Sequence, residues 1–149
     1  MQITIIAVGR IKEEYLKKGI AEYGKRLRSY CKLKIIEVKD EPFRDNYSQA
    51  QLELVRLKEA QAIQKLIPPR AFIVALDVLG QQKSSEEMAM LITNLGVEGK
   101  SHVVFIIGGS LGLHPSILGG AHLRLSFSAL TFPHQLMRLI LAEQLYRWF

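Results

Sequence analysis

The chain has 149 residues, 48% of them hydrophobic, and carries a formal net charge of +6. That length is usual for one domain, here residues 1–149, and the apolar content supplies a full core and excludes intrinsic disorder. No apolar run is long enough for a membrane span, and "MQITIIAVG" has no basic segment ahead of it, so the expectation is a cytoplasmic protein with no membrane partner.

In chain order, "QITIIAVG" (2–9) predicts a strand closed by Gly9. Residues 12–30 predict a helix, with Tyr15, Leu16, Ile20, Tyr23 and Leu27 recurring at helical spacing and basic residues between them. The single cysteine, Cys31, has no internal disulfide partner, which agrees with a reducing compartment, and reads as a packed residue. "KLKIIEVKD" (32–40) predicts a second strand. Ser48 is the expected N-cap of a helix over 49–66, stopped by Pro68-Pro69.

"AFIVALDVLG" (71–80) is apolar enough to be a strand buried on both faces. Ser85, Glu86 and Glu87 open a helix that runs to about Leu95, with its acids favourably placed for the helix dipole. "HVVFIIGG" (102–109) is the fourth strand, Pro115 starts a short helix ending by Gly119-Gly120, and "HLRLSFS" (122–128) alternates as the fifth strand. Pro133 opens the last helix, "PHQLMRLILAEQLYRWF". Strands and helices alternate throughout, which predicts an α/β domain with a mainly parallel sheet and helices on both faces.

The charge is unevenly placed. The window Arg10–Lys34 holds nine Lys/Arg and three acids, an excess equal to the whole net charge. Such a face suits a polyanion such as nucleic acid, and equally a solvated helix surface.

Three apparent strand ends carry unusual residues: "ALDVLG", "IIGGSLG" and "SFSALTFP". Ligands of open parallel sheets bind beyond the carboxyl ends of strands, so these ends are the candidate site. The glycines do not match a phosphate loop, because no Lys-Ser/Thr follows them. They do not match a dinucleotide fingerprint either, since the first strand–helix turn reads "VGRIKEE". They permit close backbone approach to a ligand or simply form tight turns. His102, His114, His122 and His134 lack metal-ligand spacing, so no metal is expected. His134, in the first turn of the last helix, has the best case among them for a polar role at a site. Ser126, Ser128 and Thr131 are hydrogen-bonding candidates without a Ser-His-Asp arrangement.

Four segments taken together carry a resemblance: "ITIIAVGRIKEEYLKKGIAEYGKRL", "VALDVLG", "FIIGGSLGL" and "LSFSALTFPHQLMRLILAEQLYR". In this order, and over nearly the whole chain, they closely resemble the large-subunit ribosomal RNA methyltransferase H family of the SPOUT, or trefoil-knot, methyltransferases. The resemblance implies an α/β fold with a C-terminal trefoil knot, an exception to the rule that chains are unknotted. It implies a homodimer that uses S-adenosylmethionine (SAM) to methylate N3 of a pseudouridine in helix 69 of 23S rRNA on the assembled 70S ribosome.

Carried over by position, Leu76, Gly108, Phe127, Ser128, Ala129, Leu130, Thr131 and Phe132 would contact SAM. Leu76, Leu130 and Phe132 suit an adenine slot. His134 and Arg138 are the catalytic or RNA-anchoring candidates; Arg138 could equally be a surface or interface arginine. Lys17, Lys18, Lys25 and Arg26 are, with Arg138, the candidate RNA contacts. The resembling proteins continue past "LYRWF" into a short tail ending in Tyr, His and a basic residue, thought to lie over the site. The expectation for the chain as given is therefore SAM binding, with methyl transfer set against a SAM- and ribosome-binding role with little turnover.

Overall fold

The computed structural model describes residues 1–149. Ten elements alternate along it: β1 (Gln2–Val8), α1 (Glu14–Leu27), β2 (Lys32–Val38), α2 (Gln49–Gln64), β3 (Phe72–Gln82), α3 (Ser85–Val97), β4 (His102–Ile107), α4 (Pro115–Gly120), β5 (Leu123–Ser126) and α5 (His134–Trp148). The strands form one sheet in the order β2-β1-β4-β3-β5. Every pairing is parallel, as the alternation of strands and helices predicts.

The period-2 pattern of the strands divides the core. Ile3, Ile5, Ala7, Val103, Phe105 and Ile107 face one side, where Leu27 of α1, Met88 and Ile92 of α3, and Leu141 and Leu145 of α5 pack on them. Ile6, Val8, Val104 and Ile106 face the other side, against Ala60 and Ile63 of α2 and Ile117 of α4. The central strands are apolar on both faces because both faces are covered. No helix is long and apolar enough to cross a membrane.

Local details depart from the sequence expectations by a few residues, each for a visible reason. Ser48 caps α2 in a full capping box with Gln51. Helix α3 opens at Ser85 as expected, and Ser84 caps it: its Oγ accepts from Glu87 N–H at 3.0 Å while Glu87 accepts from Ser84 N–H at 3.2 Å. Tyr15 continues the helical pattern of α1 yet is 68% exposed, so the apolar stripe of that helix is narrower than its spacing suggests. β3 runs past Gly80 because its pairing with β5 slips between Leu76 and Gln81. At Gly80 a Cβ would collide with the carbonyl oxygen of Arg124, so the slip requires glycine.

The sheet order places the topological switch between β1 and β4. The chain leaves β1 toward β2 on one side, and β4 and β3 lie on the other. Their carboxyl ends, with that of β5, open toward one edge of the molecule, where an open parallel sheet holds ligands.

Candidate functional site

A cavity of about 710 Å³ lies beyond the carboxyl ends of β3, β4 and β5. Three segments meet in it: Leu76–Val78, Ile107–Leu113 and the run from Phe127 through Met137. These are the three strand ends singled out in the sequence, and the fold brings them together. The volume is within the range of sites that enclose a small organic ligand.

The glycine segment forms a tight hairpin. Gly112 N–H donates to Gly109 O at 3.0 Å, the two glycines bridge, and Gly112 has φ of +79°. Gly112 is therefore a turn former. Gly108 is different: a Cβ there would stand 2.9 Å from the carbonyl carbon of Gly112 and 3.1 Å from its oxygen. A side chain at 108 would push the hairpin away from the strand and change the cavity wall.

Side chains from α2 hold the hairpin from behind. Arg56 donates through Nη1 to Leu111 O at 3.3 Å and through Nη2 to Glu53 at 2.9 Å. Glu53 also meets His114 Nε2 at 3.2 Å. His114 Nδ1 accepts from Ser116 N–H at 3.0 Å, which leaves Nε2 as the ring's donor. The sequence hints at this brace only through Glu53 and Arg56, one helical turn apart.

The third wall is the segment after β5. Ser126 Oγ donates to Ser128 O at 3.1 Å, and Ser128 Oγ accepts from Leu130 N–H at 3.0 Å. Both hydroxyls thus shape the turn that carries Thr131 and Phe132. Phe127 packs edge-on against Trp148 of α5 at 6.3 Å between ring centres. Leu76, Gly108, Phe127, Ser128, Leu130, Thr131, Phe132 and His134 all line the cavity, whereas Ala129 is exposed and does not. Leu130 is 70% exposed, so it stands at the rim, with Val78 and Leu79 exposed on the β3 side.

Electrostatically the cavity is nearly neutral. Its one carboxylate, Asp77, is held by Arg124 through Nη2 at 2.6 Å and Nε at 3.0 Å and accepts Leu79 N–H at 3.2 Å. The remaining polar groups are backbone amides and carbonyls, the Ser110, Ser128 and Thr131 hydroxyls, and the His134 ring. His134 lies beside Gly9, whose φ is +99°; a Cβ on Gly9 would come within 3.4 Å of His134 Nε2.

Arg138, one turn further along α5, faces the interior. It is 1% exposed, donates through Nη1 to Glu37 Oε2 at 2.7 Å and through Nη2 to Gly9 O at 3.1 Å. Its guanidinium ties α5 to the ends of β1 and β2 and does not line the cavity. Glu37, which the sequence reading passed over, also accepts Ile11 N–H at 2.9 Å. Desolvation pushes its carboxyl up. The hydrogen bonds from Ile11 and Arg138 and the charges of Arg138 and Arg10 outweigh that and hold it below the ordinary carboxylate range. Lys17, Lys18, Lys25 and Arg26 are exposed on α1, where Lys17 and Arg26 make exposed ion pairs with Glu14 and Glu22 and Arg26 also lies over the Tyr23 and Tyr146 rings. His102 and His122 are spent on structure, through Thr4 Oγ1 and Ile73 N–H.

A doubly covered parallel sheet with an apolar, glycine-walled cavity at its strand ends defines an α/β protein whose cavity has the size and lining of a small-molecule site. Comparison with known proteins is more specific. The whole chain, residues 1–149, matches the family described as "Predicted SPOUT methyltransferase". It is 54% identical over 149 residues to the Ribosomal RNA large subunit methyltransferase H of Acetivibrio thermocellus, covering 100% of this chain and 94% of that protein. The protein of the same name from Carboxydothermus hydrogenoformans is also 54% identical over 149 residues, with the same coverage. That of Alkaliphilus oremlandii is 53% identical over 147 residues, covering 99% of this chain and 92% of the relative. The chain belongs to the SPOUT methyltransferase family, and membership implies the knotted C-terminal segment of that fold.

Proposed function

We propose that the cavity binds S-adenosylmethionine and that the protein is a ribosomal RNA methyltransferase acting on the large subunit. At finer grain, its target is N3 of a pseudouridine in helix 69 of 23S rRNA in the assembled ribosome. The observation that carries this reading is the convergence of Leu76, Gly108 and the Phe127–Phe132 segment on one cavity of about 710 Å³. The fit is chemical as well as geometric. Gly108 leaves backbone within reach of a ligand, Leu76 and Phe132 offer an apolar slot, and the only lining carboxylate is neutralised by Arg124.

When bound, S-adenosylmethionine supplies an electrophilic methyl group on its sulfonium. The chain's own part is alignment of the accepting nitrogen with that methyl and acceptance of the proton that N3 loses. His134 is the candidate acceptor, since its ring lines the cavity and stands at the cavity's α5 wall. Hydrophobic side chains at the rim, Val78, Leu79 and Leu130, are 50%, 87% and 70% exposed. A homodimer in which a second copy covers them would close the mouth of the cavity and exclude water.

The test has two arms. Calorimetry with S-adenosylmethionine should show one site per chain, and labelled S-adenosylmethionine should transfer its methyl group to ribosomes that lack the modification. Absence of binding sinks the cofactor assignment. Binding without transfer to ribosomes would make the protein a SAM- and ribosome-binding member of its family.

A further inference from the structure

Apart from the main cavity, a cleft of about 390 Å³ opens between α1, β2 and α5. Its charged lining is Arg10, Lys17, Glu37 and Arg138, and aliphatic side chains of α1 and β2 form its walls. We infer that this cleft is a phosphate subsite for the RNA chain whose target base enters the main cavity. The inference rests on the methyltransferase reading proposed above and adds to it the path of the substrate backbone.

The cleft has a built floor and an unbalanced charge. Arg138 is 1% exposed, and its Nε has no hydrogen-bond partner. A buried guanidinium demands compensation, yet the one carboxylate beside it, Glu37, divides its Oε2 between Arg138 and Ile11 N–H. Glu37 balances one of the three cations, which leaves Arg10 and Lys17 as a surplus at the entrance. Arg10 makes no ion pair. The 3.4 Å contact of Lys17 with Glu14 is half-exposed at Lys17 and weaker than a phosphate would offer.

Position makes the ligand a nucleic-acid phosphate. Gly9 separates the cleft from the main cavity: its carbonyl accepts from Arg138, while its Cα side faces His134, which lines the cavity. His134 and Arg138 are four residues apart, one turn of α5, or about 6 Å along the helix axis. Adjoining parts of one nucleotide chain can therefore occupy both. The cleft entrance is also continuous with the exposed basic face of α1 that includes Lys18 and Lys25. A carboxylate of the cofactor is the competing anion, and calorimetry on the variant below separates the two.

The test is the salt dependence of binding to assembled ribosomes, measured by filter binding for the parent chain and for the double variant Arg10→Gln/Lys17→Gln. Both side chains lie at the surface, so folding should be intact. Loss of two contacts to single-stranded phosphates should reduce the slope of log K against log salt by about 1.4. Affinity for S-adenosylmethionine, read by calorimetry, should be unchanged. Lys58→Gln/Lys65→Gln removes the same charge from α2 and its C-cap on the opposite face and should leave the slope as it is.

Equal slopes for both double variants would overturn the subsite, and so would a loss of cofactor affinity on changing Arg10 and Lys17. Methyl transfer by the parent with no slope change in the variant refutes the cleft and leaves the enzyme reading standing. The predicted slope change without methyl transfer does the reverse. A parent that does not bind ribosomes overturns both.

Discussion

Glu59 is the least expected residue in the molecule. It is 5% exposed on α2, accepts Glu41 N–H at 3.0 Å and sits beside Asp40, which itself comes close to Gly109. Burial pushes its carboxyl up to about 7, and the negative charges of Asp40 and Glu41 push in the same direction. The folded state holds this proton more tightly than the unfolded chain. Its stabilising effect is complete below about 4.5 and is lost as the pH rises through about 7. Glu59→Gln mimics the protonated group. It should leave stability nearly unchanged at about pH 4 and raise it at about pH 8 by on the order of 1–3 kcal/mol, as urea titration at the two pH values would show. Gly108→Ala acts at the site itself. Its Cβ must displace Gly112 backbone, so cofactor affinity should fall at least about tenfold while the fold persists, measured by calorimetry beside a thermal melt. A glycine turn at the end of β4 was legible from the strand that runs into Gly108-Gly109, but only the resemblance singled out Gly108 within it. The burial of Arg138 was not legible, because its partner Glu37 lies 101 residues away and the sequence spacing relates Arg138 only to His134.

Among the elements, the end of β3 matters most to the site, since Leu76–Val78 form one wall and the pairing with β5 slips just beyond them. Gly80→Ala would set a methyl group against the Arg124 carbonyl. The expected result is a loss of about 1–3 kcal/mol in chemical denaturation, with weaker cofactor binding because the Asp77–Arg124 pair moves with the strand. Helix α2 is the brace of the glycine hairpin, and its capping box is an independent handle on it. Ser48→Ala should cost about 1 kcal/mol and leave cofactor affinity unchanged, because the cap lies about two helical turns before Arg56, whose contact holds Leu111. Element types were legible throughout: strands declared themselves by apolar runs and helices by spacing, Ser caps and Pro starts. Boundaries were less so. Ser84 and Ser85 are equivalent as cap candidates until Glu87 selects the one three residues before it. The extension of β3 depends on Arg124, a residue of another strand, and no local pattern reveals it.

For the whole molecule, the charge excess of the Arg10–Lys34 window is borne by α1 and its flanks, on the face that also carries α5. Charge reversal of Lys17, Lys18, Lys25 and Arg26 should weaken ribosome binding and flatten its salt dependence, with cofactor affinity unaltered in calorimetry. The parallel architecture was legible from the alternation of elements. The strand order was not, because it is set by which apolar faces meet across the core and not by neighbours in sequence. That order governs how the chain reaches its native state. β1 pairs on one side with β2, but on the other with β4, in a register that matches Ala7 to Ile107. At synthesis rates of 5–20 residues per second, roughly 5–20 s separate the emergence of these two partners. Throughout that interval one apolar strand edge, destined for the centre of the sheet, has nothing to bond to. A nascent chain stalled before residue 102 should bind a general chaperone, and one extended through β4 should release it.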